Sequence, residues 1–178
     1  QIVVDDPDIF VHQGDIHYAD TTNETTWRNA LLSSLSASRF HALLANKGMS
    51  FVVHNHDWHG SGTWRETIPG GSFVPAVIRE LSTGYADSNG FWHTWVHRGV
   101  RFIHLDAYSQ RDDQTDTPSS TKRQLGAAQE AWFIDLLQNS TEAIICVFTQ
   151  SPMRSITGRW GSYTHETNRI GDAIAALP

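Results

Sequence analysis

The sequence is poor in cysteine, in clustered basic residues and in long apolar runs, and each shortage excludes a class of protein. Its 178 residues include one cysteine, which excludes an internal disulfide framework and a cysteine-rich zinc site. Cys146 lies in the apolar run 143–148, which predicts a buried, unreactive thiol. The 13 Lys and Arg residues form no cluster and the net charge is −6, so nucleic acid is not an expected partner. No apolar run approaches the length of a membrane span.

The composition is that of a globular protein that is rich in histidine. Hydrophobic residues make up 39% of the chain and charged residues 18%, which excludes a disordered segment. The length suffices for one domain over residues 1–178. Ten histidines are present, and histidine is the commonest metal ligand and proton carrier, so their positions matter.

The spacing of apolar residues predicts an α/β chain in which strands and helices alternate. The predicted strands cover 8–12, 49–53, 90–97, 100–106 and 143–149, and the predicted helices cover 27–44, 73–81, 125–139 and 162–177. The segments 58–71 and 110–121 are predicted loops. Because ligands of α/β folds bind at the carboxyl ends of strands, the strand ends are where chemistry is expected.

Two predicted strand ends carry polar groups that suit cations. The first is the segment 14–20, Gly-Asp-Ile-His-Tyr-Ala-Asp, and the second is 54–57, His-Asn-His-Asp. Carboxylate, amide and imidazole groups together bind hard or borderline cations, and two such cations can hold a phosphate and activate water. Each segment alone is also an ordinary turn, since Gly, Asn and Asp all favour turns.

Both segments resemble conserved blocks of calcineurin-like metallophosphoesterases. The segment 7–20 is most similar to the Gly-Asp-x-x-Tyr block of the PhoD-type alkaline phosphatase/phosphodiesterase branch, and 54–57 resembles the next block. Three more stretches resemble later blocks of that branch in the same order: 102–112, 125–132 and 160–163. The resemblance therefore covers most of the chain. It implies an α/β sandwich of two mixed β-sheets flanked by helices.

The resemblance also implies a two-metal site with three ligands in this chain. Asp15 would bridge the two cations, Tyr18 would bind a ferric ion through its phenolate, and Asn55 would bind the second cation. The implied metals are iron together with calcium, zinc or manganese. A phenolate ligand suits a hard trivalent ion.

Three further residues are implied to act on a phosphate ester substrate. His56 would be the catalytic residue that stabilises the transition state or protonates the leaving alkoxide. Arg111 matches an arginine of the branch and could bind phosphate, and His54 is a further candidate for substrate binding.

The sequence departs from the branch at several points. His54 replaces a usual Asp, an arginine is missing after Asp106, and Gln150 stands where many members have a metal-binding histidine. The family's opening Asp ligand and closing histidine block find no counterpart in residues 1–178. We therefore expect an incomplete sandwich, the interior part of a single catalytic domain.

The implied function is hydrolysis of phosphate mono- or diesters by a metal-bound hydroxide, in the periplasm or outside the cell. Two alternatives remain open. One is a non-catalytic relative with a degraded metal site that acts as a binding module, and the other is a hydrolase of another ester on the same scaffold.

Overall fold

The computed structural model describes residues 8–19, 21, 23–36, 48–52, 54–58, 92–112, 117–151, 153 and 161–177, with the backbone alone at 55, 58 and 161. The predicted helix 73–81, the loop 59–71 and the second half of the helix predicted at 27–44 lie outside these residues. No helix within these ranges has both the length and the apolar character to cross a bilayer.

The chain divides into two compact units, Gln1–His93 and Thr94–Pro178. The expectation of a single catalytic domain stays a prediction.

The described residues of the first unit form two parallel strands and two helices. Strand β1 (Ile9–His12) pairs in parallel with β2 (Gly48–Phe51), so that their carboxyl ends lie at the same edge of the sheet. Helix α1 spans Glu24–Ser36, and a four-residue helix, α2, spans Asn55–Trp58. The strand predictions at 8–12 and 49–53 are confirmed to within two residues at each end.

Helix α1 begins three residues before the predicted start because Asn23 caps it. The side-chain oxygen of Asn23 accepts a hydrogen bond from the backbone N–H of Thr26, 2.9 Å away. Such a cap satisfies one of the backbone donors that a helix leaves free in its first turn. Trp27 and Leu31, one turn apart, are the buried residues of the helix.

The second sheet has the strand order β3-β4-β5, formed by His93–His97, Val100–His104 and Ile144–Phe148. Arg98 and Gly99 connect β3 to β4 with φ of 51° and 78°, the left-handed backbone that a two-residue hairpin turn requires. Strands β4 and β5 are parallel, with Phe102 beside Cys146. The strands predicted at 90–97 and 100–106 are confirmed over residues 93–97 and 100–104. Cys146 is only half-buried on β5, so the prediction of a buried thiol is wrong.

Helices α3 (Ala127–Asn139) and α4 (Thr164–Ala175) form the core of the second unit together with β4 and the segment after it. The buried members of this core are Ile103, Leu105, Ala107, Leu125, Phe133, Leu137 and Ile170. Trp132 and Leu136 are half-buried and pack against this core. The chain is thus a mixed α/β protein with two small sheets and flanking helices, as the sequence predicts.

Candidate functional site

The candidate site of the first unit is built where its two parallel strands end. Strand β1 leads into the Gly14-Asp15 turn, and β2 is followed along the chain by α2. The backbone N–H of Val52 donates to the carbonyl of His12, so the pairing continues past the end of β2. The topology therefore brings the two polar segments to one edge of the sheet, as expected for an α/β fold.

Asp15 lies at the centre of this edge. Its backbone is left-handed, with φ of 56°, directly after Gly14 with φ of 89°. Few residues other than glycine adopt this conformation, and aspartate is one of those that tolerate it. The backbone N–H of His56 donates to Oδ1 of Asp15 over 3.1 Å. His54 Nδ1 lies 2.9 Å from Asp15 Oδ2, and 24% of the Asp15 side chain remains exposed.

Asp57 is a buried residue of helix α2 and connects that helix to the Asp15 turn. Its buried carboxylate accepts hydrogen bonds from the backbone N–H groups of Asp15, Ile16 and His54. His54 is the cap residue of α2 and Asp57 is the third residue of that helix. The hydrogen bond between them is a common way to stabilise the start of a helix. Burial raises the pKa of Asp57 to about 7, although the three N–H groups act in the opposite direction.

Tyr18 and His56 face each other beside Asp15. Their ring centroids are 4.1 Å apart at 45°. Tyr18 is 66% exposed, so its phenol is open to solvent, while His56 is half-buried. The structure thus brings four predicted site residues, Asp15, Tyr18, His54 and His56, into one small cluster. The side chain of Asn55 lies outside the described part of the structure.

Arg111 belongs to the second unit, in the loop that follows β4. It is 6% exposed and its guanidinium lies 4.1 Å above the ring of Tyr108. The nearby carboxylate of Asp106 is fully buried and accepts from the backbone N–H groups of Tyr108 and Ser109, at 2.9 and 3.0 Å. Burial raises the pKa of Asp106. The hydrogen bonds to its carboxylate and the charge of Arg111 act in the opposite direction. Asp106 is therefore a buried cap of this loop.

Gln150 also serves the loop after β4. Its side-chain oxygen accepts from the backbone N–H of Ala107 over 2.9 Å. Gln129, on α3, binds the backbone of Asp106 with its side-chain amide. It accepts from the N–H of Asp106 and donates to the carbonyl of Asp106, each over 2.8 Å. The side chain of Gln150 thus binds the backbone of this loop.

The donors of the first unit fit part of a cation site. Asp15 offers a partly exposed carboxylate and Tyr18 an exposed phenol, oxygen ligands of the kind that hard cations prefer. Within the described ranges, no group of three or more His, Cys, Asp or Glu side chains converges as a metal site. A tightly bound ion would need donors in addition to these.

Sequence reasoning missed two residues of this site, Asp57 and Trp27. The signal for Asp57 was its place three residues after His54, at the spacing of a capping pair. The indole N–H of Trp27 donates to the backbone carbonyl of Asp57. No local pattern predicts that bond, because 30 residues separate the two.

The two sheets, their flanking helices and the polar strand ends define an α/β fold of the PhoD type. A solved structure of PhoD is similar to 95% of this chain with a TM-score of 0.73. The sequence identity is 17%, and the match covers 43% of the PhoD chain, so this chain spans less than half of that protein's length. No family model matches the sequence, and no curated protein matches it either. The likeness therefore concerns the fold.

Proposed function

We propose that this chain is the interior part of a catalytic domain that hydrolyses phosphate mono- or diesters with the help of metal ions. The observation that carries the proposal is the carboxylate of Asp15, held at the end of β1 within hydrogen-bond distance of His54 and of the backbone of His56. A fold of the PhoD type supports it. An extracellular or periplasmic location belongs to the same proposal.

In this proposal Asp15, Tyr18 and Asn55 would hold the cations. When bound, the cations would neutralise phosphate charge and make water a better nucleophile. Iron with calcium, zinc or manganese suits the phenol and carboxylate donors.

The residues of the chain have separable tasks. Asp57 and the backbone of α2 keep Asp15 oriented, so that little reorganisation is needed when substrate binds. His56 would give a proton to the leaving alkoxide, and its half-buried position beside Tyr18 supports this role. His54 and Arg111 stay candidates for phosphate contact, although His54 already pairs with Asp15 and Arg111 with the ring of Tyr108.

The test is metal content and hydrolysis before and after the substitution Asp15→Asn in the full-length protein. We expect wild-type protein to hold one to two equivalents of metal and to hydrolyse p-nitrophenyl phosphate or its bis-ester. Asp15→Asn should lose the metal and lower kcat by about 100-fold or more, because one neutral oxygen replaces a charged ligand. Asp172→Asn, an exposed change on α4, is the matched control and should leave both unchanged. Equal activity in Asp15→Asn would refute the proposal.

A binding module on the same fold is the second candidate. It is favoured by the absence of three converging acidic or histidine donors in the parts of the chain described. Such a protein would hold no metal after reconstitution and would release no product from any ester. Ester turnover without phosphate release would instead favour a hydrolase of another ester.

A further inference from the structure

Trp27 contacts both chain segments that carry the candidate site. It lies on α1 and is completely buried within the first unit. Its indole N–H donates to the carbonyl of Asp57 in α2, and its ring packs against the edge of His17, with centroids 4.8 Å apart at 84°. His17 immediately precedes Tyr18, and its Nδ1 accepts from the backbone N–H of Ala19.

The segments that Trp27 touches are tied to each other by reciprocal hydrogen bonds. Asp57 accepts from the backbone of Asp15 and Ile16, and Asp15 accepts from the backbone of His56. The position of Asp57 therefore determines the position of the Asp15 turn. In return, the carboxylate of Asp15 holds α2 through the backbone N–H of His56. A displacement of α2 would move Asp15 and His56 together.

Neither helix α2 nor the Asp15 turn is stable without contacts from the surrounding structure. Helix α2 has four residues, far fewer than an isolated helix needs. Asp15 holds a left-handed backbone, which persists only where the surroundings impose it. The Asp15 turn and α2 therefore depend on contacts from the surrounding structure, and Trp27 provides a hydrogen bond from α1.

We propose that Trp27 is a positioning residue of the candidate site, whose indole N–H fixes α2 against the Asp15 turn by holding the carbonyl of Asp57. The catalytic consequence rests on the proposed function, whereas the positional consequence does not. Because misplacement of reacting groups by about 1 Å can cost about 100-fold in rate, loss of this one donor should lower kcat more than it raises KM.

The test replaces Trp27 by Phe, which removes the N–H and keeps an aromatic ring beside His17. The matched control is Trp92→Phe. Trp92 is also buried in the first unit, and its indole nitrogen has no hydrogen-bond partner among the residues described. Three quantities are compared in the full-length protein: kcat and KM for a p-nitrophenyl ester, the dissociation constant of added Mn²⁺, and hydrogen exchange of the Asp15 and Ile16 amides.

We expect Trp27→Phe to lower kcat about tenfold with KM changed less than twofold, and to weaken Mn²⁺ binding. Exchange at Asp15 and Ile16 should accelerate about tenfold, while exchange in β2 stays as in wild type, which separates a local from a global effect. Trp92→Phe should match wild type in every measurement. Wild-type exchange at Asp15 and Ile16 in Trp27→Phe, or equal losses in Trp92→Phe, would overturn the inference.

A second variant covers the case in which Trp27→Phe does not fold. Benzothienylalanine at position 27 keeps the bicyclic shape and replaces the N–H by sulfur, so it should give the same local increase in exchange. If it exchanges like wild type, the inference fails. If wild-type protein binds no metal and hydrolyses no ester, the proposed function fails, and the exchange data still decide whether Trp27 positions the turn.

Discussion

Glu166 should make the second unit less stable as the pH rises, although its carboxylate accepts hydrogen bonds from two backbone N–H groups. It is completely buried on α4 and accepts from the N–H groups of Gln124, at 2.6 Å, and Leu125, at 3.2 Å. Burial raises its pKa to about 7 from an ordinary 4.5, and the charge of Glu130 adds to the rise. The two N–H groups and Arg123 oppose it.

The sign and size of the effect follow from linkage. Because the native state binds this proton more tightly than the unfolded state, its stabilisation is fully present below pH 4.5 and is lost as the pH rises through 7. The difference between the two pKa values corresponds to about 3 kcal/mol of unfolding free energy. Glu166→Gln, which resembles the protonated acid in shape and charge, should remove this dependence.

Urea denaturation at pH values from 5 to 8 measures the effect. Near pH 5, Glu166→Gln and wild type should agree within about 1 kcal/mol, since both present a neutral group to the same donors. At pH 8 the variant should be the more stable by about 2 to 3 kcal/mol. The difference between the two proteins isolates Glu166 from other titrating groups.

Glu142→Gln is the control of opposite sign. Arg101 binds Glu142 with two hydrogen bonds, at 2.9 and 3.0 Å, and these lower its pKa. Its contribution is therefore present at neutral pH and lost in acid, so the variant should be less stable at pH 7 and approach wild type as the pH falls. A Glu166→Gln protein that is less stable than wild type by the same amount at every pH would refute the reasoning on Glu166.

Three other substitutions give direct tests by thermal or urea unfolding and by metal titration. Gly126→Ala should cost about 1 to 3 kcal/mol, because φ is 77° there and a Cβ would lie 2.9 Å from Cβ of Gln110. Gly171→Ala, inside α4 with open space around the new methyl, should instead stabilise by about 0.5 to 1 kcal/mol; a loss of stability would contradict the packing described. His54→Asp should tighten Mn²⁺ binding about tenfold and lower the stability of the metal-free protein, because a second carboxylate would face Asp15. Unchanged Mn²⁺ affinity would show that this position lies outside any cation site.

The strands and the later helices could be predicted because their apolar spacing is local information. Strand β5 and helix α3 were each predicted within two residues of their observed ends, from the run 143–149 and the spacing over 125–139. The start of α1 was predicted at Trp27 instead of Glu24. The apolar spacing begins at Trp27, whereas the helix begins where Asn23 caps it.

The residue types of the site could be predicted from the sequence, whereas the hydrogen bonds that hold these residues in place could not. Two short segments contain the four residues Asp15, Tyr18, His54 and His56. These residues are expected to lie close together because the carboxyl ends of parallel strands lie at the same edge of a sheet. The hydrogen bonds that hold them join residues about 30 to 40 positions apart, from Trp27 and Asp15 to α2. Such pairings depend on the tertiary fold, so no window of sequence contains them.

His54 changes what holds the Asp15 turn, compared with an aspartate at the same position. An aspartate there would add a second carboxylate next to Asp15 and would depend on a cation to relieve the repulsion. The histidine instead donates to Asp15 Oδ2, so the chain's own groups hold the turn together without any ion. Under the proposed function, a cation at Asp15 would share the lone pairs of Oδ2 with this hydrogen bond, and His54 would add no negative charge to the site. The metal content of the wild-type protein therefore tests whether Asp15 binds a cation without a second carboxylate beside it.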